Sequence, residues 1–341
     1  MTTHALTTAA AKPQLEPTNL RPLNVRRDLG EVADLIYDAF ADELDTSGLS
    51  ALREMRAFGH MGPFTLLLSH FNPDFHDMLA GFVWEEDGEV VGNITVQRVD
   101  TYGQRWAIAN VAVALPFRGR GIARRLMAVT LDHIRARGGD WAILQVRRDN
   151  DVARGLYERL GFEVLGGVSD YRLARVPETV PAAMQPLPGL RPLRADEWYA
   201  TYELALAATP NLMHWWRPVR ADNFRLYFER RLGEAVADMA GHSRVVRLVL
   251  PDPAKPNQFL AFLMLRIARW QGTHALRLFV HPDQRGQIEQ ALIRHALDIL
   301  TAYPLFPIHI SLQAADQETA AALQQFGFAE TRTLLTMRKR L

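Results

Sequence analysis

Leu20-Arg21-Pro22-Leu23 recurs letter for letter at Leu190-Arg191-Pro192-Leu193, and the echo continues in order down the chain. Val113, Arg118 and Gly119 are matched by Val280, Arg285 and Gly286. Leu131-Asp132 is matched by Leu297-Asp298, and Leu160-Gly161-Phe162 by Phe326-Gly327-Phe328. One shared tetrapeptide is no more than chance allows, but ordered landmarks with a slow drift in spacing imply one structural unit written twice. Between the copies, Val176 to Gly189 holds four prolines. Neither a helix interior nor a central strand accepts them, so the segment reads as a linker. The expected organisation is a disordered tail over 1–18, a first domain over 19–175, the linker over 176–189 and a second domain over 190–341.

Within each half the coarse pattern is strand, one or two helices, a run of strands, helix, strand, helix and a closing pair of strands, a mixed α/β (α+β) architecture. In the first half Asp28 and Glu31 read as a capping box ahead of Val32, Leu35, Ile36, Ala39 and Phe40 at helical spacing. Gly81 to Trp84 and Glu89 to Val99 read as a hairpin around Asp87-Gly88. Ala107 to Leu115 is the next strand, Gly121 to Arg137 a helix closed by Gly138-Gly139, and Trp141 to Val146 another strand. Asp151 to Leu160 is a helix with Ala153, Leu156, Tyr157 and Leu160 on one face.

Composition removes several classes of function. The net charge of +1 gives neither nucleic acid nor an anionic membrane a reason to bind, and no apolar run is long enough to span a bilayer. The first residues lack the basic start and apolar core of a secretory signal. With no cysteine, disulfides, thiolate metal sites and a cysteinyl acyl-enzyme are excluded. The expectation is a cytoplasmic protein, monomer or homodimer, with no nucleic-acid or membrane partner.

The stretch from Asn110 to Phe162 carries the chemistry. An apolar strand meets the turn Arg118-Gly119-Arg120-Gly121, which opens a helix; a second strand then leads to a short helix bearing Tyr157. A glycine-rich turn at a helix start aims several backbone N–H groups at one spot with the positive end of the helix dipole behind them, which makes a phosphate cradle. Tyr157 reads either as a proton donor beside a nucleotide-bearing cofactor or as a core aromatic. An RNA-binding reading of the basic turn is disfavoured because the turn does not repeat and the chain is near neutral.

Arg118-Gly119-Arg120-Gly121-Ile122-Ala123 fits the pattern Arg/Gln-x-x-Gly-x-Gly/Ala. Asn150, Ala153, Tyr157, Gly161 and Phe162 fit Asn-x-x-Ala-x-x-x-Tyr followed by Gly-Phe. In this order and context, the chain resembles the GCN5-related N-acetyltransferase (GNAT) superfamily from Leu20 to Val176, and more faintly from Leu190 onward. The resemblance implies two tandem GNAT-fold domains, each a mixed, mainly antiparallel sheet flanked by helices. It also implies acetyl-CoA or another acyl-CoA as co-substrate and a small-molecule or peptide amine as acceptor. The N–H groups of Arg118, Gly119, Arg120, Gly121, Ile122 and Ala123 would then hold the pyrophosphate, with the side chains of Arg118, Arg120, Arg124 and Arg125 adding positive potential. Val111, Ala112 and Val113 would offer backbone N–H groups to the thioester carbonyl. Asn150, with Ala153 in the same motif, would contact the pantetheine arm, and Tyr157 would protonate the departing thiolate. Without cysteine, direct transfer in a ternary complex is favoured. The strand that often carries a glutamate base in such proteins has none here, which leaves Asp100, Glu85, Glu86, Asp42, Glu43 and Asp45 as candidates. The rival is a non-catalytic acetyl-CoA-binding sensor or scaffold.

The second copy departs from the pattern. Between the matching arginine and the matching helix it reads Arg285-Gly286-Gln287-Ile288-Glu289-Gln290-Ala291-Leu292, one residue shorter than its counterpart, with isoleucine for the second glycine and a glutamate facing the would-be pyrophosphate. Asp316 stands for Asn150 and Leu323 for Tyr157, so the expectation is one working cofactor site per chain. Elsewhere, His70, Asp74, His76 and Asp77 read as a satisfied loop rather than a metal cluster. His214-Trp215-Trp216-Arg217 reads as packing ahead of an acceptor pocket, and Phe224, Tyr227 and Phe228 as the buried stripe of a helix.

Overall fold

The repeated tetrapeptide is a short strand whose arginine clamps the helix that follows. The computed structural model describes residues 19–40, 52, 53, 56, 80–100, 102–180 and 187–341. Strand β1 (Leu20–Pro22) leads into helix α1 (Val25–Phe40). Arg21 Nη1 and Nη2 donate to Asp28 Oδ2 and Oδ1 at 2.6 and 2.9 Å, and the Asn24 N–H donates to Asp28 Oδ2 at 2.7 Å. The second copy repeats the device. Arg191 holds Glu197 at 2.9 and 2.6 Å, and the Arg194 N–H donates to the same carboxylate. Asp28 is almost fully buried, so loss of its arginine would cost on the order of 3–5 kcal/mol. The expected capping box is corrected here. The helix starts at Val25, ahead of Asp28, so Asp28 bonds backward from the first turn. Glu31 stays within the helix, and its side chain reaches across to β3, where Oε2 accepts from Val90 N at 2.9 Å.

The contacts divide the chain into two compact units, Met1–Leu144 with Arg338–Leu341, and Gln145–Met337. In the first, β2 (Ala80–Glu86) and β3 (Glu89–Arg98) form the expected hairpin. Asp87 and Gly88 both lie at positive φ, 53° and 88°, the type I′ geometry that matches strand twist. Strand β4 (Arg105–Val113) pairs antiparallel with β3. Helix α2 (Ile122–Ala136) crosses over to β5 (Trp141–Arg147), which runs parallel to β4. Ile122, Leu126, Met127, Leu131 and Ile134 form the buried face of α2, each worth about 1.5–3 kcal/mol of burial. Gly92 lets α2 approach β3: a Cβ there would lie 3.0 Å from Ile122 Cγ2 and 3.3 Å from Leu126 Cδ1. In the other cluster of this unit, Val32, Ala33 and Ile36 of α1 pack with Val83, Val90 and Ala112.

The second unit holds α3 (Asp151–Arg159), β6 (Glu163–Leu173), β7 (Arg191–Pro192), α4 (Trp198–Ala208), α5 (Asn211–Trp216) and α6 (Phe228–Met239). It continues with β8 (Ser243–Asp252), β9 (Lys255–Ala268), β10 (His274–Val280), α7 (Glu289–Leu300), β11 (Ile308–Gln313), α8 (Gln317–Gln325) and β12 (Ala329–Arg340). Its strands lie in the order β12-β6-β11-β10-β9-β8-β7. β10 and β11 run parallel, whereas β6–β11, β9–β10, β8–β9 and β7–β8 are antiparallel. Leu263, Leu265 and Ile267 of β9, Leu292, Ile293 and Leu297 of α7, and Ile308 and Ile310 of β11 belong to one core. The expected mixed, mainly antiparallel sheets flanked by helices are thus present. Among the described residues no helix is long and apolar enough to cross a membrane.

Two features differ from the sequence expectation. Each half closes on a single long strand, β6 or β12, rather than a pair. The closing strand of the first half also pairs with β11 of the second, over Val168–Leu173 and Ile308–Gln313. The second compact unit accordingly contains β6 together with β11. Asp170 of β6 anchors this pairing: Ser311 Oγ donates to it at 2.5 Å and Arg332 Nε at 2.7 Å, with His309 Nε2 at 3.4 Å. Burial alone would raise the pKa of Asp170, but these donors outweigh it and hold the carboxyl well below the usual carboxylate range.

A fragment of residues 19–175 would expose the edge of β6 that β11 covers, and such edges self-associate. Gel filtration should find it aggregated or oligomeric; a monomeric, cooperatively unfolding fragment would contradict this pairing. The depressed Asp170 pKa contributes stability above the unfolded value near ~4, and that stability is lost as pH falls through the folded value. The gap in urea midpoint between the native protein and Asp170→Asn should therefore be widest near neutrality and close in acid.

Candidate active site

Strand β4 changes register against β3 between Asn93/Thr95 and their partners Ala112/Ala109, which leaves one extra residue on β4. Asn110 sits in this bulge at φ 53°, a left-handed conformation that asparagine tolerates better than most residues. Polar side chains hold it: Asn93 Nδ2 donates to Asn110 O at 3.0 Å, Thr95 Oγ1 to Ala109 O at 3.0 Å, and Asn110 Nδ2 to Thr95 Oγ1 at 3.1 Å. Asn93 is fully buried. These three residues escaped the sequence reading, because a bulge leaves no local pattern beyond an asparagine within a strand.

The parallel ladder between β4 and β5 runs only from Arg105–Trp141 to Ile108–Leu144, so β4 continues past the bulge without that partner. Ala114 N donates to Val91 O. Antiparallel alternation then makes Gly92/Val113 a non-bonded pair whose polar groups face away from β3. The Val113 carbonyl accordingly accepts from Arg118 Nε at 3.0 Å. By the same alternation Asn93/Ala112 is a bonded pair, which commits the Ala112 N–H to β3 and leaves that of Val113 directed outward.

A single 3-10 turn, Leu115–Phe117, carries the chain to the glycine loop. Arg118 is extended, Gly119 has φ 79°, and Gly121 caps α2 at φ 79°, ψ 8°. No side chain caps the start of α2. A Cβ built on Gly119 or Gly121 meets nothing within 4 Å. The space over the loop is open and its N–H groups are not filled by a capping side chain, the arrangement that binds an anion. Arg120 lies over the Phe117 ring at 4.8 Å and 3.7 Å from Glu86, and Arg125 over Trp84 at 5.3 Å.

The second copy of this loop is filled from within. Gly286 keeps the left-handed φ, 77°, but Ile288 stands at φ −117° where Gly121 is left-handed. Glu289 is 1% exposed, and its carboxylate accepts from Gly286 N at 2.9 Å and Ile288 N at 3.2 Å. An internal carboxylate thus occupies backbone donors equivalent to those the first loop leaves open. The expected one-residue shortening does not lie in the loop: α2 and α7 start at the same distance after Arg118 and Arg285, so the residue is lost within the helix.

Asn150 caps α3, its Oδ1 accepting from Ala153 N at 3.0 Å, with φ −88° and ψ 75°. Asp316 caps α8 in the same way, at φ −84° and ψ 76°. The exchange of asparagine for aspartate therefore preserves the cap and removes only the amide donor. Tyr157 is 6% exposed, with its ring 6.0 Å from Phe162, and burial pushes its phenol up to about 12. The loop belongs to the first compact unit, and Asn150, Ala153 and Tyr157 to the second.

The described base candidates are engaged elsewhere. Arg21 and Arg27 hold Glu85 below the usual glutamate range by hydrogen bonds that outweigh its partial burial. Burial would raise Asp100, but Arg105 at 2.8 Å and the Gln104 N–H hold it low. Glu86 accepts from Trp84 Nε1 at 3.1 Å. Asp42, Glu43 and Asp45, like His70, Asp74, His76 and Asp77, lie outside the described residues; among those described, no acid or histidine group forms a metal cluster. In the second unit, Met213 of α5 is buried, while His214, Trp215 and Trp216 are half-buried and His214 Nε2 sits 3.2 Å from Leu206 O. The supposed buried stripe is corrected: Phe224 is half-buried, but Tyr227 and Phe228 are exposed.

Residues 49–162 match the model of the acetyltransferase (GNAT) family. The chain carries a GNAT-family domain. Two solved structures share its fold over nearly the whole length. A GCN5-related N-acetyltransferase from Sphaerobacter thermophilus aligns at TM-score 0.59 and 16% identity, covering 95% of this chain and 96% of that one. A tandem GNAT protein from the clavulanic acid biosynthesis pathway, solved without AcCoA, aligns at 0.51 and 15%, covering 94% and 98%. The GNAT model covers the bulge and the glycine loop, and the family is one of acetyltransferases.

Replacing Gly121 with isoleucine, the residue of the second copy, forces a β-branched side chain toward φ 79°. Gly121→Ile should lower affinity for acetyl-CoA at least ~10-fold in calorimetric titration with the circular dichroism spectrum unchanged.

Proposed function

We propose that the chain is an acetyl-CoA-dependent N-acetyltransferase that passes an acetyl group to an amine acceptor by direct attack in a ternary complex. The contrast between the two glycine loops carries this reading: one is left open over two left-handed glycines, while the other is filled by Glu289. An open cradle at a helix start suits the pyrophosphate of coenzyme A, which supplies the activated acyl group. Arg118 to Ala123 would hold that pyrophosphate through backbone N–H groups, with Arg120 and Arg124 adding positive potential.

On β4 the outward N–H of Val113 is suited to donate to a carbonyl oxygen as charge gathers on it. Asn110 and Val111 form the bulge next to it, and Ala112, paired with Asn93, fixes its alternation. Asn150 has its amide Nδ2 available to the pantetheine arm while its Oδ1 caps α3 over Ala153. The Tyr157 phenol, raised to about 12, stays protonated across the neutral range. It is therefore a standing donor to a departing thiolate. The absence of cysteine supports direct transfer over a cysteinyl relay. Glu85 and Asp100, tied to arginines, are poor bases, and this favours the second reading, a non-catalytic acetyl-CoA sensor.

Titration with acetyl-CoA followed by assay of free thiol against a panel of amines, peptides and aminoglycosides separates the two. The expected result is amine-dependent thiol release; binding without release across the panel supports the sensor, and no binding overturns both. Tyr157→Phe should lower kcat about 10²-fold with little change in acetyl-CoA affinity. Calorimetry should find one acetyl-CoA per chain, and a stoichiometry of two would refute the role given to Glu289.

A further inference from the structure

Helix α6 holds two of its acids in arginine pairs. Glu234 takes a bidentate pair from Arg247 of β8 at 2.5 and 2.8 Å. Asp238 receives Arg269 Nη1 on both its carbonyl and its Oδ1, at 3.1 and 2.7 Å. The opposite side is apolar and open: Phe228, Leu232, Val236 and Met239 are 72, 52, 56 and 89% exposed, a stripe at helical spacing. The turn after β9 lies beside the end of α6. Arg269 ties that turn to the end of α6, His242 stacks edge-on to Trp270 at 6.0 Å, and Trp270 is itself 76% exposed.

We infer that this face of α6 is the contact between two copies of the chain, packed about a two-fold axis that crosses the helix near Gly233. The four side chains offer on the order of 500 Å², the apolar centre of an interface that buries ~800 Å² per partner, with exposed Glu229 and Arg231 at its rim. The stripe contains no ionisable group, so a two-fold axis brings no like charges together. Running antiparallel, Phe228 of one copy meets Met239 of the other, and the two helix dipoles oppose. An anionic membrane is a weaker match, because the stripe carries no lysine or arginine of its own.

Sedimentation equilibrium of the full chain at micromolar concentration should give twice the chain mass. The double variant Leu232→Lys/Val236→Lys, which sets like charges against each other across the axis, should halve that mass with an unchanged melting curve, since both positions are exposed. The chain has no cysteine, so Ala235→Cys supplies a unique thiol beside the axis. A short bis-maleimide should link it into dimers, while Val152→Cys, exposed on α3, should stay unlinked. A native monomer overturns the inference. So does a dimer that survives the double variant and leaves Ala235→Cys unlinked, because its interface would lie elsewhere.

Discussion

Every helix that starts at the edge of a sheet presents backbone N–H groups that must find an acceptor. Much of this structure follows from how that demand is met at successive helix starts. At α1 and at the turn before α4, a carboxylate held by an arginine one strand earlier supplies the acceptor. At α3 and α8 a capping Asn or Asp does so. At α7 it is Glu289. Only α2, among these, begins on a left-handed glycine with open space above it and no side-chain cap. Leaving these donors without a side-chain acceptor costs stability, and an incoming phosphate is the natural way to recover it. The cofactor reading therefore rests on a difference between copies of one design, not on the presence of a glycine-rich turn alone.

The same comparison explains how much was legible in the sequence. Local signals read well. Asp87-Gly88 specified its turn, the Arg118–Ala123 loop its helix start, and Glu289 its inward carboxylate, because each depends on neighbours a few residues away. The start of α1 was misplaced because Asp28 bonds backward to Asn24 and sideways to Arg21, and from sequence alone such an acid resembles an ordinary N-cap. The Asn150-to-Asp316 exchange looked like the loss of a functional group, yet half of that side chain's work is capping, which aspartate performs equally well. Non-local features were not legible at all. Nothing in Glu163–Leu173 announces that its partner is Ile308–Gln313, and nothing in Phe228–Met239 announces which side faces in. Amphipathic periodicity locates two faces without saying which is buried, and at α6 the apolar stripe is the exposed one.

The proton that an amine must shed is the least furnished step of the proposed chemistry. Carboxylates near the strands exist, but arginine hydrogen bonds hold Glu85 and Asp100 in their charged forms at low pKa, and a base so stabilised has little appetite for a proton. The bulge offers hydrogen-bonding groups instead of a strong base. Asn93, Thr95 and Asn110 shape the backbone and carry no titrating group. An acceptor that is already deprotonated near neutral pH fits this arrangement better than a base on β4.

Why a second copy persists after its loop has filled is answered by the sheet. β6, written in the first half, has β11 of the second as its partner, and Asp170 binds donors from both β11 and β12. Deleting the second half would strip β6 of that ladder and leave a buried carboxylate without its counter-charge. The frame does not constrain the second loop in the same way, because Glu289 satisfies the helix start with no ligand. It does constrain the hydrophobic positions, since β6 needs β11 and β11 needs the core beneath α7.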